Sequence, residues 1–144
     1  MPILLKEFKP SELNSHHLAD LKRLCMGTHT QFGESFLTQF IQDREMGMPQ
    51  DDTHHVAAAL FNGCIIGWSL AQEFDWGGKL VTFNTFVIEG RRKMGLGKTL
   101  ASMAILKARE TIPGHLRVWN RDDRTKSFYR SLSRQFPDLI VDTL

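Results

Sequence analysis

Residues 89–100 read EGRRKMGLGKTL, a basic, glycine-containing loop whose identity decides the fold. The nucleotide-hydrolase pattern G-x-x-x-x-G-K-[ST] finds its ending in Gly97-Lys98-Thr99, but its opening glycine falls on Arg92. A bulky arginine cannot follow the backbone path that wraps a triphosphate, so that reading fails. The dinucleotide fingerprint G-x-G-x-x-G starts at Gly95-Leu96-Gly97 and fails at Leu100. What remains is Arg92-x-x-Gly95-x-Gly97, a basic residue and two spaced glycines at the mouth of a helix.

The segments on either side explain why such a loop binds an anion. Leu80–Ile88, rich in Val, Thr, Phe and Ile, predicts a long strand. Leu96–Glu110 predicts an amphipathic helix with Leu100, Met103, Ala104 and Ala108 on one face, stopped by Pro113-Gly114. A strand that turns through glycines into a helix presents unpaired backbone N–H groups and the positive end of the helix dipole. Arg91, Arg92, Lys93 and Lys98 ring that turn with charge, which suits a compact pyrophosphate. The competing reading is an ordinary strand–helix turn with solvated charges.

Working outward, Ile3–Phe8 reads as a first strand, and residues 16–28 and 35–46 carry helix-spaced apolar positions. Val56–Phe61 and Cys64–Leu70 are apolar runs joined by Asn62-Gly63, a strong hairpin signal because both residues accept positive φ. Trp76-Gly77-Gly78 turns the chain into the long strand. Leu116–Trp119 is strand-like, Asp122 or Asp123 can cap a helix holding Phe128, Tyr129 and Leu132, and Asp138–Leu144 closes as a strand. The order β-α-α-β-β-β-α-β-α-β predicts an α+β, or mixed α/β, arrangement in a single domain over residues 1–144.

Composition narrows the function. With 144 residues, 42% hydrophobic and 24% charged, the chain has the makeup of an ordinary globular protein. A net charge of +2 is too small to argue for nucleic acid, and the basic run Arg121, Arg124, Lys126, Arg130 and Arg134 reads as a solvated helix face. The short apolar start, broken by Lys6 and Glu7, predicts neither a signal peptide nor a membrane span. Cys25 and Cys64 have no framework spacing and read as reduced core thiols of a cytoplasmic protein. The pairs His16-His17 and His54-His55 are adjacent, so their side chains diverge, and no metal site is expected from them.

These residues together resemble the GCN5-related N-acetyltransferases, the GNAT superfamily. TFVIEGRRKMGLGKTL is similar to its signature, with Val87 at the strand's end and Arg92, Gly95 and Gly97 in the (Arg/Gln)-x-x-Gly-x-(Gly/Ala) positions. DDRTKSFY at residues 122–129 resembles its Asn-x-x-Ala-x-x-Phe-Tyr helix, with Asp122 for the asparagine and Thr125 for the alanine. The order of elements resembles the family from residue 3 onward. The resemblance implies a mostly antiparallel central sheet flanked by about four helices. It implies acetyl-CoA as co-substrate, its pyrophosphate on the amides of Lys93, Met94, Gly95, Leu96, Gly97 and Lys98 beside Arg92, and its pantetheine arm along Phe86, Val87 and Ile88. Tyr129 would protonate the departing sulfur.

The implied chemistry is direct attack by an amine on a thioester. An ammonium has no lone pair, and a lysine-like amine of pKa ~10.4 must first lose a proton, so a base, directly or through water, is expected. Many family members carry a glutamate on the strand before the signature; Val81–Ile88 holds Thr82, Asn84 and Thr85 and no carboxylate. Glu73 and Asp75 on the preceding strand are the nearest substitutes, with His115 or His54 behind them, each with a rival reading as a solvated surface group. Tyr129 has a rival reading as a helix aromatic packed beside Phe128. One strand follows the last helix where the family usually has two, so the final hairpin is expected to be incomplete, open or completed by a partner chain.

Two functions follow. The first is an N-acetyltransferase acting on a small or protein-borne primary amine. The alternative is a catalytically weak or inactive GNAT-fold protein that grips a partner protein or a second copy of itself. Charge segregation bears on the acceptor: residues 29–53 hold Glu34, Asp43, Glu45, Asp51 and Asp52 against Arg44 alone, leaving 11 of the 16 acids and 17 of the 18 bases elsewhere. Such a field would favour a cationic amine.

Overall fold

A computed structural model describes residues 2–26, 31–75, 79–87, 95–111, 115–120, 123–137 and 139–143. The elements are β1 (Leu4–Phe8), a 3-10 turn (Pro10–Glu12), α1 (Ser15–Met26), α2 (Gln31–Glu45), β2 (His54–Phe61), β3 (Cys64–Asp75), β4 (Lys79–Val87), α3 (Leu96–Thr111), β5 (His115–Asn120), α4 (Asp123–Ser133) and β6 (Leu139–Thr143). Their order is the one the sequence predicts, and the α+β class stands. Two boundaries move by more than two residues. The second helix starts at Gln31 rather than 35, running through Gly33, since an interior glycine costs a helix only about 1 kcal/mol. The third strand extends past Leu70 to Asp75, because pairing with β4 over Gly67–Asp75 supplies what the weak pattern of Ala71–Asp75 does not.

The six strands lie in the order β1-β2-β3-β4-β5-β6, antiparallel up to β4 and parallel from β4 to β6. Asn62 and Gly63 turn the β2–β3 hairpin with φ of 52° and 77°, the left-handed pair that matches strand twist. A register shift at Ala59/Leu60 leaves Ile66 as an extra residue, so alternation holds on both sides of it. Val56, Ala58, Leu60, Ile65, Trp68 and Leu70 join Leu18 and Leu21 of α1 and Phe40 and Ile41 of α2 in one core. Ala57, Ala59, Ile66 and Ala71 join the opposite layer, where Leu100, Ala101, Ala104, Ile105 and Ala108 bring α3 close to the sheet. Small residues there permit close approach of helix and sheet.

Local contacts hold the corner before α1. Arg44 donates through Nε to the Pro10 carbonyl (2.9 Å) and through a terminal nitrogen to that of Leu13 (3.1 Å). Asp51 accepts both the Ser11 N–H (2.9 Å) and the Ser11 hydroxyl (2.6 Å), and these bonds lower its pKa. Among the described residues, no helix is long and apolar enough to cross a membrane.

Candidate acetyl-CoA site

The start of α3 has the geometry the loop pattern predicts. Gly95 takes φ of +75°, a conformation that favours glycine. Its carbonyl accepts the N–H and the hydroxyl of Thr99, both at 3.1 Å. The helix therefore begins at Leu96, and the N–H groups of Leu96, Gly97 and Lys98 lie in its first turn, where no intrahelical acceptor exists. Leu96 anchors the turn against the apolar layer under α3, while Lys98 is exposed. Gly97 lies between Val87 at the end of β4 and Phe128 on α4. Loop, strand and fourth helix thus meet at one glycine. Ile88, Arg92, Lys93 and Met94 lie outside the described residues.

A second feature is the way β4 leaves β5. Among the described residues, their parallel pairing consists of Leu80 with His115 and Val81 with Leu116, at the start of both strands. β5 instead pairs along its whole length with β6, from Leu116–Leu139 to Asn120–Thr143. Among the described residues the ladder between the two halves of the sheet ends at Val81, and the unpaired stretch of the two strands, a wedge in the ladder, runs toward the Val87 end of β4. Phe86 stands opposite Trp68 and Val87 opposite Gly67 on its closed flank. β6, the strand described after α4, takes the place beside β5.

The residues proposed from sequence as bases gather at the closed end of this wedge, away from the loop. Glu73 pairs with Val81, Asp75 with Lys79, His115 with Leu80, and His54 with Gln72. Glu73 is six positions from Gly67, about 20 Å along an extended strand from the row that contains Val87. His54 belongs to the core: it is 8% exposed, packs against Phe40 with ring centroids 5.6 Å apart, and has Nδ1 2.7 Å from the Thr53 hydroxyl. Burial pushes its pKa down to about 4. Its neighbour His55, beneath α3, also has a lowered pKa, from burial first and then the nearby Lys107. Tyr129 follows Phe128 on α4.

Sequence reasoning missed the role of Phe128 as the wall behind Gly97. The Phe-Tyr pair was legible, but its contact with a glycine 31 positions earlier in the chain was not. It also treated the acidic segment as a free field. Three of its five carboxylates have local partners: Asp51 with Ser11, Glu45 with Lys22, and Asp43 with Gln39.

Comparison with known proteins agrees with this fold. Structures with the same fold include an aminoglycoside N-acetyltransferase, AAC(6')-Iy, in complex with CoA (16% identity, 93% of this chain and 86% of that one, TM-score 0.60). Another is glucosamine-6-phosphate N-acetyltransferase from Arabidopsis thaliana (17%, 91% and 90%, TM-score 0.60). A third is ribosomal-protein-alanine N-acetyltransferase from Brucella melitensis biovar Abortus 2308 (16%, 94% and 90%, TM-score 0.58). Comparison with curated protein sequences gives no match. The acetyltransferase (GNAT) family matches residues 17–133, more than three quarters of the sequence, and the chain belongs to that family.

Proposed function

We propose that residues 1–144 form a single acetyl-CoA-dependent N-acetyltransferase domain that moves an acetyl group to a primary amine by direct attack on the thioester. What supports the reading is the wedge between β4 and β5, open toward a helix start built on Gly95 and Gly97. The first-turn amides of Leu96, Gly97 and Lys98, with Arg92, Lys93 and Met94 before them, would bind the pyrophosphate. The pantetheine arm would follow Phe86, Val87 and Ile88 into the wedge. Its backbone is as long as about four amino-acid residues, so the sulfur would reach roughly 14 Å down β4, near Phe83.

Two proton transfers complete the reaction. Tyr129 would donate its phenolic proton to the departing thiolate. Glu73 and Asp75 are two or more strand positions beyond the sulfur, so either would deprotonate the incoming ammonium through water rather than by contact. The amine nitrogen forms its bond to the acetyl carbon as the carbon–sulfur bond breaks, which leaves the amide and CoA as products. The fold relatives act, by their names, on an aminoglycoside, a sugar phosphate and a protein alanine, so the fold does not select among acceptors. We favour a small cationic amine, on the charge of residues 29–53.

The test is calorimetry of CoA binding across ionic strength, followed by a screen of polyamines, aminoglycosides, sugar amines and basic peptides for CoA release. The expected result is binding that weakens with salt and turnover fastest on a cationic amine. Absence of CoA binding would overturn the site; binding without turnover on any amine would leave a CoA-holding protein in place of an enzyme.

A further inference from the structure

A second cluster of reactive side chains lies outside the wedge, where α1 meets the β2–β3 hairpin. The start of α1 separates its two histidines. Asn14 Oδ1 accepts the His17 N–H (2.9 Å) while the Asn14 N–H donates to His17 Nδ1 (3.2 Å), a reciprocal cap that commits the His17 ring. His16 is left to face Asp20 one helical turn on, with Nε2 3.7 Å from Asp20 Oδ2. Cys64, the first residue after the hairpin turn, places Sγ 3.9 Å from the same His16 nitrogen. The three donor atoms lie within 4.8 Å of one another.

Asp20 sits at the centre of this arrangement. Its side chain is wholly buried; Oδ2 accepts the Ile65 N–H at 3.0 Å, and the Arg23 guanidinium meets Oδ1. A buried carboxylate draws cations to it. The cluster is not a relay of the Asp-His-Cys kind, in which the carboxylate holds one ring nitrogen and the other activates the sulfur. Here one nitrogen faces both partners, so nitrogen, oxygen and sulfur converge on a common point.

We propose that His16 Nε2, Asp20 Oδ2 and Cys64 Sγ form a binding site for a borderline-soft divalent cation of the zinc class. Ligands 2.0–2.3 Å from a tetrahedral centre stand roughly 3.4–3.8 Å apart. The observed separations reach that range by a small closure of the Cys64 side chain. A thiolate with an imidazole and one carboxylate selects zinc-like ions over magnesium and calcium, which take all-oxygen shells. Water completes the fourth position, and binding releases the thiol proton to solvent. Adjacent histidines argued against a metal in the sequence, but the third ligand comes from 44 residues beyond Asp20. The ion would clasp the start of α1 to the hairpin, apart from acetyl transfer.

The experiment uses the untagged 144-residue chain, stripped with chelator, and titrated with Co²⁺. The expected result is a single thiolate-to-cobalt charge-transfer band that saturates at one equivalent and is displaced by Zn²⁺. Cys64→Ser should abolish the band, Cys25→Ser should leave it, and His16→Gln should weaken binding by roughly tenfold or more. His16 and Cys64 lie at the surface edge of the cluster, so both variants should fold, checked by circular dichroism. No band in the parent chain overturns the proposal, as does a band that survives Cys64→Ser or vanishes with Cys25→Ser.

Discussion

Gly97 packs against Phe128: a side-chain carbon at Gly97 would stand 3.5 Å from Phe128 Cε2 and 3.7 Å from Val87 Cγ2. These are ordinary contact distances, so one methyl group fits and a branched side chain does not. Gly97→Ala should fold with stability equal to the parent or up to about 1 kcal/mol higher, since alanine favours the helix. Gly97→Val should lose about 1–3 kcal/mol by overpacking. The alanine variant separates packing from binding. It should melt like the parent yet bind CoA about tenfold more weakly by calorimetry, as the methyl blocks approach to the first-turn amides. Equal CoA affinity would assign this glycine to helix packing alone.

Tyr129→Phe keeps the ring and removes the proton. Turnover on the best acceptor should fall by about 10²–10⁴-fold, with CoA affinity and melting temperature held. Undiminished turnover would leave Tyr129 as a packing residue.

His54 makes stability depend on pH. Its folded pKa of about 4 lies below the unfolded 6.5, so the fold favours the neutral ring. The contribution is complete above pH 6.5 and is lost as pH falls from 6.5 toward 4, where the unfolded chain binds the extra proton first. The whole interval is worth on the order of 3 kcal/mol. Lowered pKa values at His17 and His55 act in the same direction. Urea denaturation at several pH values should show the slope, and His54→Gln should flatten it; a variant with the parent's slope would move the effect to the other histidines.

The acidic segment calls for a narrower test than reversal of all its charges. Asp51 holds Ser11, so replacing it should lower the melting temperature. Asp52 is exposed, and Asp52→Lys should leave stability alone while raising KM for a cationic acceptor. A neutral acceptor should be indifferent to it. Equal KM shifts for both acceptors would remove the electrostatic argument.

The order of elements was legible because each carries a local signal: the Asn62-Gly63 turn, the apolar runs of β2 and β3 on either side of it, the glycines at the start of α3. The helix start was legible too, since Gly95 adopts the backbone angle that makes a glycine useful there. The pairing of distant residues was not. Glu73 reads as a neighbour of the strand that leads into the glycine loop, which it is, but only the register opposite Val81 fixes how far along that strand it lies. His54 reads as a polar group available for chemistry, and only the tertiary fold buries it against Phe40. The acidic segment reads as a field, whereas folding brings Ser11 and Lys22 to two of its carboxylates.

The parting of β4 and β5 divides the molecule's cooperativity. β2, β3 and β4 are knit by long antiparallel registers, whereas among the described residues the β4–β5 ladder has two paired positions and β5 has its longer ladder with β6. Amide protons of β5 and β6 therefore belong to a unit that can open while the first four strands stay closed, and they should exchange with solvent through that smaller opening. A CoA molecule lodged between the halves would bridge them and slow exchange in β5 more than in β2. Hydrogen exchange in β6, on the far side of β5, would then report occupancy of the wedge from a strand that does not border it.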